Sequence, residues 1–275
     1  MIGSMVGLLA GAILAGAGAR WLQLMQQVRL PRHATRYVVA TGIAAALGVC
    51  AFVLGTGVIG GVAAGLAIAG GVVFMALVAA SGQAPVTPAV AVGGPVLDFV
   101  ATDDSDRPFA LASLRGRLFL LKFFRGHWCP YCVAELRRWE ELRPELDAHG
   151  VEIVTVCADT TEQIRKGRAK HGLHAVMIAD PDLTVTDRYN LRNPRNFALK
   201  SGVLVPLPIP TTILVDASGT VRWIDQATDY MHRSDPARVL AAIRATEGRQ
   251  PQMNTDEHRW GRRSSVGGAL SDMTE

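Results

Sequence analysis

From Met1 to Leu97 the chain contains no Asp, no Glu and no Lys. Charged residues make up about a quarter of an ordinary soluble domain, so this stretch is not one. Its charged side chains are Arg20, Arg29, Arg32 and Arg36, with His33 among them. Cysteine is scarce as well. Four in 275 residues exclude a disulfide-stapled scaffold. The formal net charge of +4 is too small and too scattered for a nucleic-acid surface. No second C-x-x-C exists, His171 and His174 stand three apart and Cys157 stands alone in its strand, so the ligand set of a structural zinc site is missing.

What fills the first third is apolar. Ile2–Ala19 is long enough to span a bilayer, and Tyr37–Ala80 is long enough for two spans. Gly55-Thr56-Gly57 is the natural break. The expected spans are 2–19, 38–54 and 58–80, each helical because hydrocarbon offers backbone groups no other partner. The resulting organisation is transmembrane helices over 1–81, a Pro/Ala/Gly linker over 82–94, a folded domain over 95–248 and a disordered polar tail over 249–275. Gly3, Gly7 and Gly11, then Gly57, Gly61 and Gly65, form two small-residue stripes that let helices approach closely. They fit packing among the three helices better than a homodimer face. The arginines between the first two spans place that loop, and with it the folded domain, on the cytoplasmic side. Ala15–Ala19 resembles a cleavage site and an exported domain is the alternative. No basic residue precedes the first apolar run, which argues against a signal peptide.

The second part carries Cys129-Pro130-Tyr131-Cys132 directly after the apolar run Leu118–Phe124, a buried strand, and before a helix from Val133 to about His149. A sulfur at a strand-to-helix junction lies beside unpaired N–H groups and the positive end of the helix dipole. That setting is expected to lower the Cys129 pKa and leave an ionised, reachable thiolate. Cys132 lies one helical turn behind, on the same face. Pro130 suits the first turn, where its missing N–H costs nothing. Pro144 should kink or end the helix. Val151–Ala158 reads as a strand, Asp159 or Thr160 as the cap of a helix to His171, and Ala175–Ala179 as a strand. A short helix follows over Leu183–Tyr189. Thr211–Val215 and Val221–Ile224 read as a hairpin, and Asp235-Pro236 opens a last helix. The fold class is therefore α/β, a mixed central sheet flanked by helices, preceded by an all-α segment of about three transmembrane helices. Cys50 and Cys157 read as buried structural thiols.

Residues from about Gly93 to Ala245 resemble the thioredoxin-like redoxins. Within them they resemble the alkyl hydroperoxide reductase/thiol-specific antioxidant (peroxiredoxin-like) family that carries Arg-Gly-x-Trp-Cys-Pro-x-Cys. The matching residues are Arg125-Gly126-His127-Trp128-Cys129-Pro130-Tyr131-Cys132, Val151–Val156, Asp180-Pro181-Asp182, Thr211–Asp216 with Gly219, and Ser234–Leu240. The resemblance implies a thioredoxin-like fold and a redox-active dithiol that needs no cofactor. Its implied partners are a thiol electron donor or acceptor and a disulfide or peroxide substrate, and the apolar spans add the bilayer. It also implies a cis proline against the dithiol, a place that Pro210 fills. Two departures stand out. Peroxide-reducing members usually carry Thr or Ser where this chain has Gly126, and an Arg where it has Ile209 or Pro210. Arg192 or Arg195 is the nearest substitute in sequence.

Cys129 is the expected nucleophile and Cys132 the resolving thiol. Trp128 shields the sulfur or offers partner contact, unless it is ordinary packing. Glu135 completes Cys129-x-x-Cys132-x-x-Glu135 and is either a proton carrier for Cys132 or a solvated helix carboxylate. Lys122 either biases the thiols or holds its head in water, and His127 reads as an exposed loop residue. Three functions follow. The first is a membrane-anchored thiol–disulfide oxidoreductase. The second is a thiol-dependent peroxide reductase with an antioxidant role. The third is a non-enzymatic redoxin-fold scaffold held at the membrane.

Overall fold

The computed structural model describes residues 1–248 except 32, 201–202, 230 and 232, with backbone alone over 195–200 and 203–205. The tail at 249–275 lies outside the described residues. Three long helices come first: α1 (Ile2–Gln26), α2 (Thr35–Val53) and α3 (Val58–Ala79). Their mean hydropathies of 1.8, 1.8 and 2.4 make each long and apolar enough to cross a membrane. α1 runs one turn and more beyond the expected Ala19, because Arg20 and Gln23 continue the helix and bond to each other.

The glycines of α1 explain how the bundle closes. A Cβ at Gly7 would stand 2.2 Å from the Gly60 carbonyl oxygen, and one at Gly3 would stand 2.3 Å from that of Gly55. Only a residue without a side chain permits such backbone contact. The first stripe therefore packs within the chain. The second packs only at its start, where a Cβ at Gly57 would meet Ser4 and one at Gly61 would meet Thr56 and Phe52, and nothing lies within 4 Å of a Cβ at Gly65. The packing line of α3 is instead Gly60, Ala64, Ala67 and Gly71. Cys50 is exposed on the flank of α2, not buried as expected. A helix in a three-helix bundle turns much of its circumference outward, and Cys50 falls on that side.

A seven-stranded sheet forms the second unit, in the order β2 (Pro108–Ala110), β1 (Val100–Asp103), β5 (Val176–Ala179), β4 (Val151–Cys157), β3 (Leu118–Phe124), β8 (Thr211–Val215), β9 (Val221–Gln226). β3 pairs in parallel with β4 and antiparallel with β8, and β4 pairs in parallel with β5. The sheet is thus mixed. A separate hairpin, β6 (Arg192–Lys200) and β7 (Val203–Pro208), fills the insert. Side chains alternate across a strand. Leu118, Leu120 and Phe124 enter the core beneath α4 (Pro130–Glu141), α5 (Arg143–Ala148) and α8 (Pro236–Glu247). Phe119, Leu121 and Phe123 enter the opposite core, around Tyr189. Lys122 follows the even-numbered set and so points toward α4. Pro144 divides the expected single helix into α4 and α5, with Leu142 between them. α6 (Thr161–His171) begins with a capping box of Thr160 and Gln163, and the short α7 (Thr184–Arg188) follows β5.

The two units are joined by more than covalent linkage. Residues 82–94 are extended, as their prolines require, but bonded along the domain. Gln83 N–H donates to the Thr228 carbonyl at 2.8 Å and Gly93 N–H to that of Val221 at 2.8 Å. Ser81 hydrogen-bonds Asp229. Arg137 and Arg138 of α4 donate to the carbonyls of Gln27 and Leu30 in the α1–α2 loop. Tyr131 packs against a cluster of Leu24, Leu30, Tyr37, Trp21 and Phe74. The dithiol end of α4 therefore faces the end of the helix bundle.

Candidate active site

Cys129 is the N-cap of α4, with extended backbone angles of φ −85° and ψ 110°, and Pro130 occupies the first turn. The turn that presents it depends on Gly126. At φ +146° a Cβ there would lie 2.6 Å from Trp128 Nε1 and 2.7 Å from Asp159 Oδ1. The position where peroxide-reducing relatives carry Thr or Ser has no room for either in this chain. Below the turn, the His127 backbone N–H donates to Asp159 Oδ2 at 2.7 Å, and His127 Nδ1 lies 3.1 Å from the same oxygen. His127 is buried, not exposed as expected. The loop folds back on Asp159 at the end of β4 to satisfy its own N–H.

Cys132 is wholly buried and Cys129 is 2% exposed. The expectation of a freely reachable sulfur fails because the bundle and the domain close over the N-terminus of α4. Cys129 instead lines a cavity of about 370 Å³ between the two units. Both cysteines are free thiols.

Arg233 organises the pair. Its Nη2 lies 3.2 Å from Cys132 Sγ and 3.7 Å from Cys129 Sγ. Its Nε lies 3.7 Å from Glu135 Oε2, an ion-pair distance. Glu135 Oε1 accepts from Lys122 Nζ at 2.7 Å, and Lys122 also donates to Thr212 Oγ1 at 3.0 Å. The Thr212 hydroxyl in turn bonds Ser234 at 2.8 Å. Lys122 and Glu135 side chains are each 1% exposed. Both bland alternatives, a Lys with its head in water and a solvated carboxylate, are thereby corrected. The parity of β3 and the face of α4 aim the two at each other, and a buried charge is retained only when paired.

The electrostatics differ from the sequence expectation. A hydrogen bond shared with Cys132, together with burial, holds the Cys129 thiol well above its ordinary range, against the pull of Arg233 and Arg125. Burial also opposes ionisation of Cys132. The hydrogen bond from Cys129 and the nearer charge of Arg233 outweigh it and hold Cys132 well below. The dithiol loses its first proton easily and its second with difficulty, as expected for two coupled groups. The helix terminus that was to ionise Cys129 is outcompeted by a guanidinium placed closer to its mate. Burial pushes Glu135 upward, with Lys122 and Arg233 opposing.

Among the other expected site residues, Trp128 is 46% exposed beneath Arg125, whose guanidinium carbon is 5.2 Å from the ring centroid. Pro210 is buried before β8, but no cis peptide bond occurs among the described residues. Ile209 N–H donates to the Leu191 carbonyl, and the Thr211 hydroxyl donates to that of Ile209. These bonds hold the segment extended, and trans is the lower-energy X–Pro form by about 0.5–1 kcal/mol. Arg192 is exposed and paired with Asp187, on the insert. The side chain of Arg195 lies outside the described residues. Arg233 was missed by sequence reasoning. An arginine was sought before the late strand, whereas this one follows the last strand, just ahead of the Ser234-Asp235-Pro236 helix start. His127, Cys157 and Asp159 bring ligand atoms within 4.8 Å of one another. A metal at His127 Nδ1 would displace the Asp159 contact. It would also leave Nε2, which has no partner among the described residues, with a buried unsatisfied N–H. The trio reads better as the brace beneath the Gly126 turn.

A mixed sheet with a helix-capping C-x-x-C dithiol on its α4 side defines a thioredoxin-like redoxin, here with three apolar helices in front. The model of the AhpC/TSA family matches residues 92–224. The chain belongs to this family. The thiol-disulfide oxidoreductase ResA of Geobacillus kaustophilus is 32% identical over 57% of this chain and 80% of its own. Peroxiredoxin 2 of Thermoplasma acidophilum is 29% identical over 44% of this chain and 59% of its own. Among solved structures, a peroxiredoxin 6 from Arenicola marina superposes with a TM-score of 0.51 at 14% identity. It covers 57% of this chain and 74% of its own, a likeness of fold.

Proposed function

We propose that the chain is a membrane-anchored thiol–disulfide oxidoreductase working through Cys129 and Cys132. The supporting observation is Arg233, whose guanidinium touches both sulfurs and favours the singly ionised dithiol from which exchange starts. The similarity to ResA proteins points the same way. Arg233 and the Arg125 backbone N–H hold the negative charge on Cys132. Proton transfer between the two sulfurs gives Cys129, the one beside the cavity, the thiolate that attacks a disulfide. Cys132 then displaces the product and closes the Cys129–Cys132 disulfide. Glu135, held between Lys122 and Arg233, adjusts the charge that Arg233 presents.

Membrane anchoring by α1–α3 places this chemistry at the bilayer face. Arg29 in the α1–α2 loop and Arg36 at the start of α2 lie at the domain's end of the bundle, which favours a cytoplasmic domain under the positive-inside rule. Turnover of a small disulfide by the reduced full chain should vanish in Cys129→Ser and Cys132→Ser. Cys132→Ser should trap a mixed disulfide on Cys129. Retained turnover in both variants would end this reading. A peroxide reductase is the second reading. Arg233 favours it, because a guanidinium on the sulfur suits peroxide oxygens as well. It requires Cys129 to consume hydrogen peroxide much faster than free cysteine does.

A further inference from the structure

The 370 Å³ cavity at Cys129 has one wall that belongs to the membrane unit. Trp21 and Met25 of α1 and Phe74, Leu77 and Val78 of α3 form it, facing Trp128, Tyr131 and Arg125 of the domain. Leu77 lines the cavity and is also 56% exposed on the outer surface of α3, where Val73 is 57% and Leu22 of α1 is 59% exposed. The cavity wall is therefore continuous with the apolar surface that faces hydrocarbon. Trp21 stacks edge-on against Tyr37 and Phe74, with centroids 4.8 and 5.4 Å apart. Aromatic rings at the end of a bundle mark the interfacial level of a bilayer.

We infer that this cavity admits a lipid-soluble quinone, which exchanges two electrons with the Cys129–Cys132 dithiol. The inference rests on the redox reading of the dithiol and adds its membrane-side electron carrier. Four observations select a quinone. Cys129 is 2% exposed, too little for a folded partner to reach while the two units stay docked, whereas a small planar ring fits the space. The walls are apolar and aromatic on both sides, as a flat apolar ring requires. Arg125 is a wall residue whose guanidinium can donate to a ring carbonyl oxygen. The route in runs along α1 and α3 from the hydrocarbon.

The stoichiometry also matches. The Cys129 thiolate adds to a ring carbon, forming a C–S bond. The Cys132 sulfur then attacks Cys129 Sγ. The S–S bond forms, the C–S bond breaks, and its electron pair returns to the ring. The two thiol protons end on the two quinone oxygens. Dithiol plus quinone becomes disulfide plus quinol, with nothing left over.

The test uses the reduced full chain in phosphatidylcholine–phosphatidylglycerol vesicles containing a short-tailed naphthoquinone. A small water-soluble aromatic disulfide serves as a separate oxidant. Quinol should form in one-to-one proportion with the Cys129–Cys132 disulfide, and not in Cys129→Ser. Leu77→Trp, and independently Met25→Trp, should lower the quinone rate by about tenfold to a hundredfold relative to the soluble-disulfide rate, the scale of a misplaced reactant. Reaction with the soluble disulfide but not with quinone overturns the inference and leaves the redox reading intact. Consumption of a fatty-acyl hydroperoxide in the same vesicles, with quinone inert, overturns it in favour of a peroxide substrate. Inertness to every oxidant overturns both readings.

Discussion

Replacing Arg233 by Met removes the guanidinium that, among the described residues, touches both sulfurs. Unit charges about 4 Å apart interact by about 4 kcal/mol at an effective dielectric near 20, and the Arg233–Cys132 contact is 3.2 Å. Glu135, 3.7 Å from the same guanidinium, cancels part of that field. After that cancellation an interaction of about 1–4 kcal/mol is lost, and the pKa of the first thiol ionisation should rise. Arg233→Lys keeps the charge but loses the fork that spans two sulfurs, so it should give a smaller rise. The assay is iodoacetamide alkylation against pH, read together with thiolate absorbance in the ultraviolet. The Arg233→Met midpoint should move to higher pH. Linkage carries the same sign. Cys132 is depressed in the folded state, so its stabilisation is present above the unfolded thiol pKa and lost as pH falls through the folded value. That dependence should shrink in Arg233→Met. The fold should survive, because Lys122 still neutralises Glu135. An unchanged titration in a folded Arg233→Met would refute the electrostatic account of the dithiol.

Lys122→Met should destabilise by about 1–3 kcal/mol, less than the usual ~3–5 for a stranded buried charge because Arg233 still faces Glu135, while Lys122→Met with Glu135→Leu should recover only part of it, since Arg233 then loses its carboxylate. Chemical denaturation of the two variants checks this, and equal losses would contradict the pairing. Asp216 accepts from Ser218, Thr220 and Arg222. Burial raises its pKa, but these bonds outweigh it and leave it lowered from 3.8. Its stabilisation should be present above about pH 4 and lost as pH falls further. Asp216→Asn should cost about 1–3 kcal/mol at neutral pH and flatten the acid limb of the stability curve. In the bundle, Gly7→Val should force α1 from α3 and lower the melting temperature in detergent. Gly65→Ala, where nothing lies within 4 Å, should leave it within about 0.5 kcal/mol of the parent.

The amino-acid order alone determined the broad plan. Three apolar runs of spanning length without acids or lysines give three helices long and apolar enough to cross a membrane. Apolar strand runs, the Cys129-Pro130 helix start and the cap at Asp159 or Thr160 are local signals, carried within a few residues, and they placed the dithiol at a strand–helix junction. Tertiary structure decided the rest, because it concerns groups far apart in the chain. Arg233 lies a hundred residues from the sulfurs it touches. Lys122 and Glu135 meet only because β3 and α4 turn particular faces toward each other. Arg233 stands nearer to Cys132, at 3.2 Å, than to Cys129, at 3.7 Å, only because the last helix start folds over α4. The closing of α1 and α3 over Cys129 has no local signature at all. Sequence periodicity records which side of an element avoids water, but not which other element will cover it.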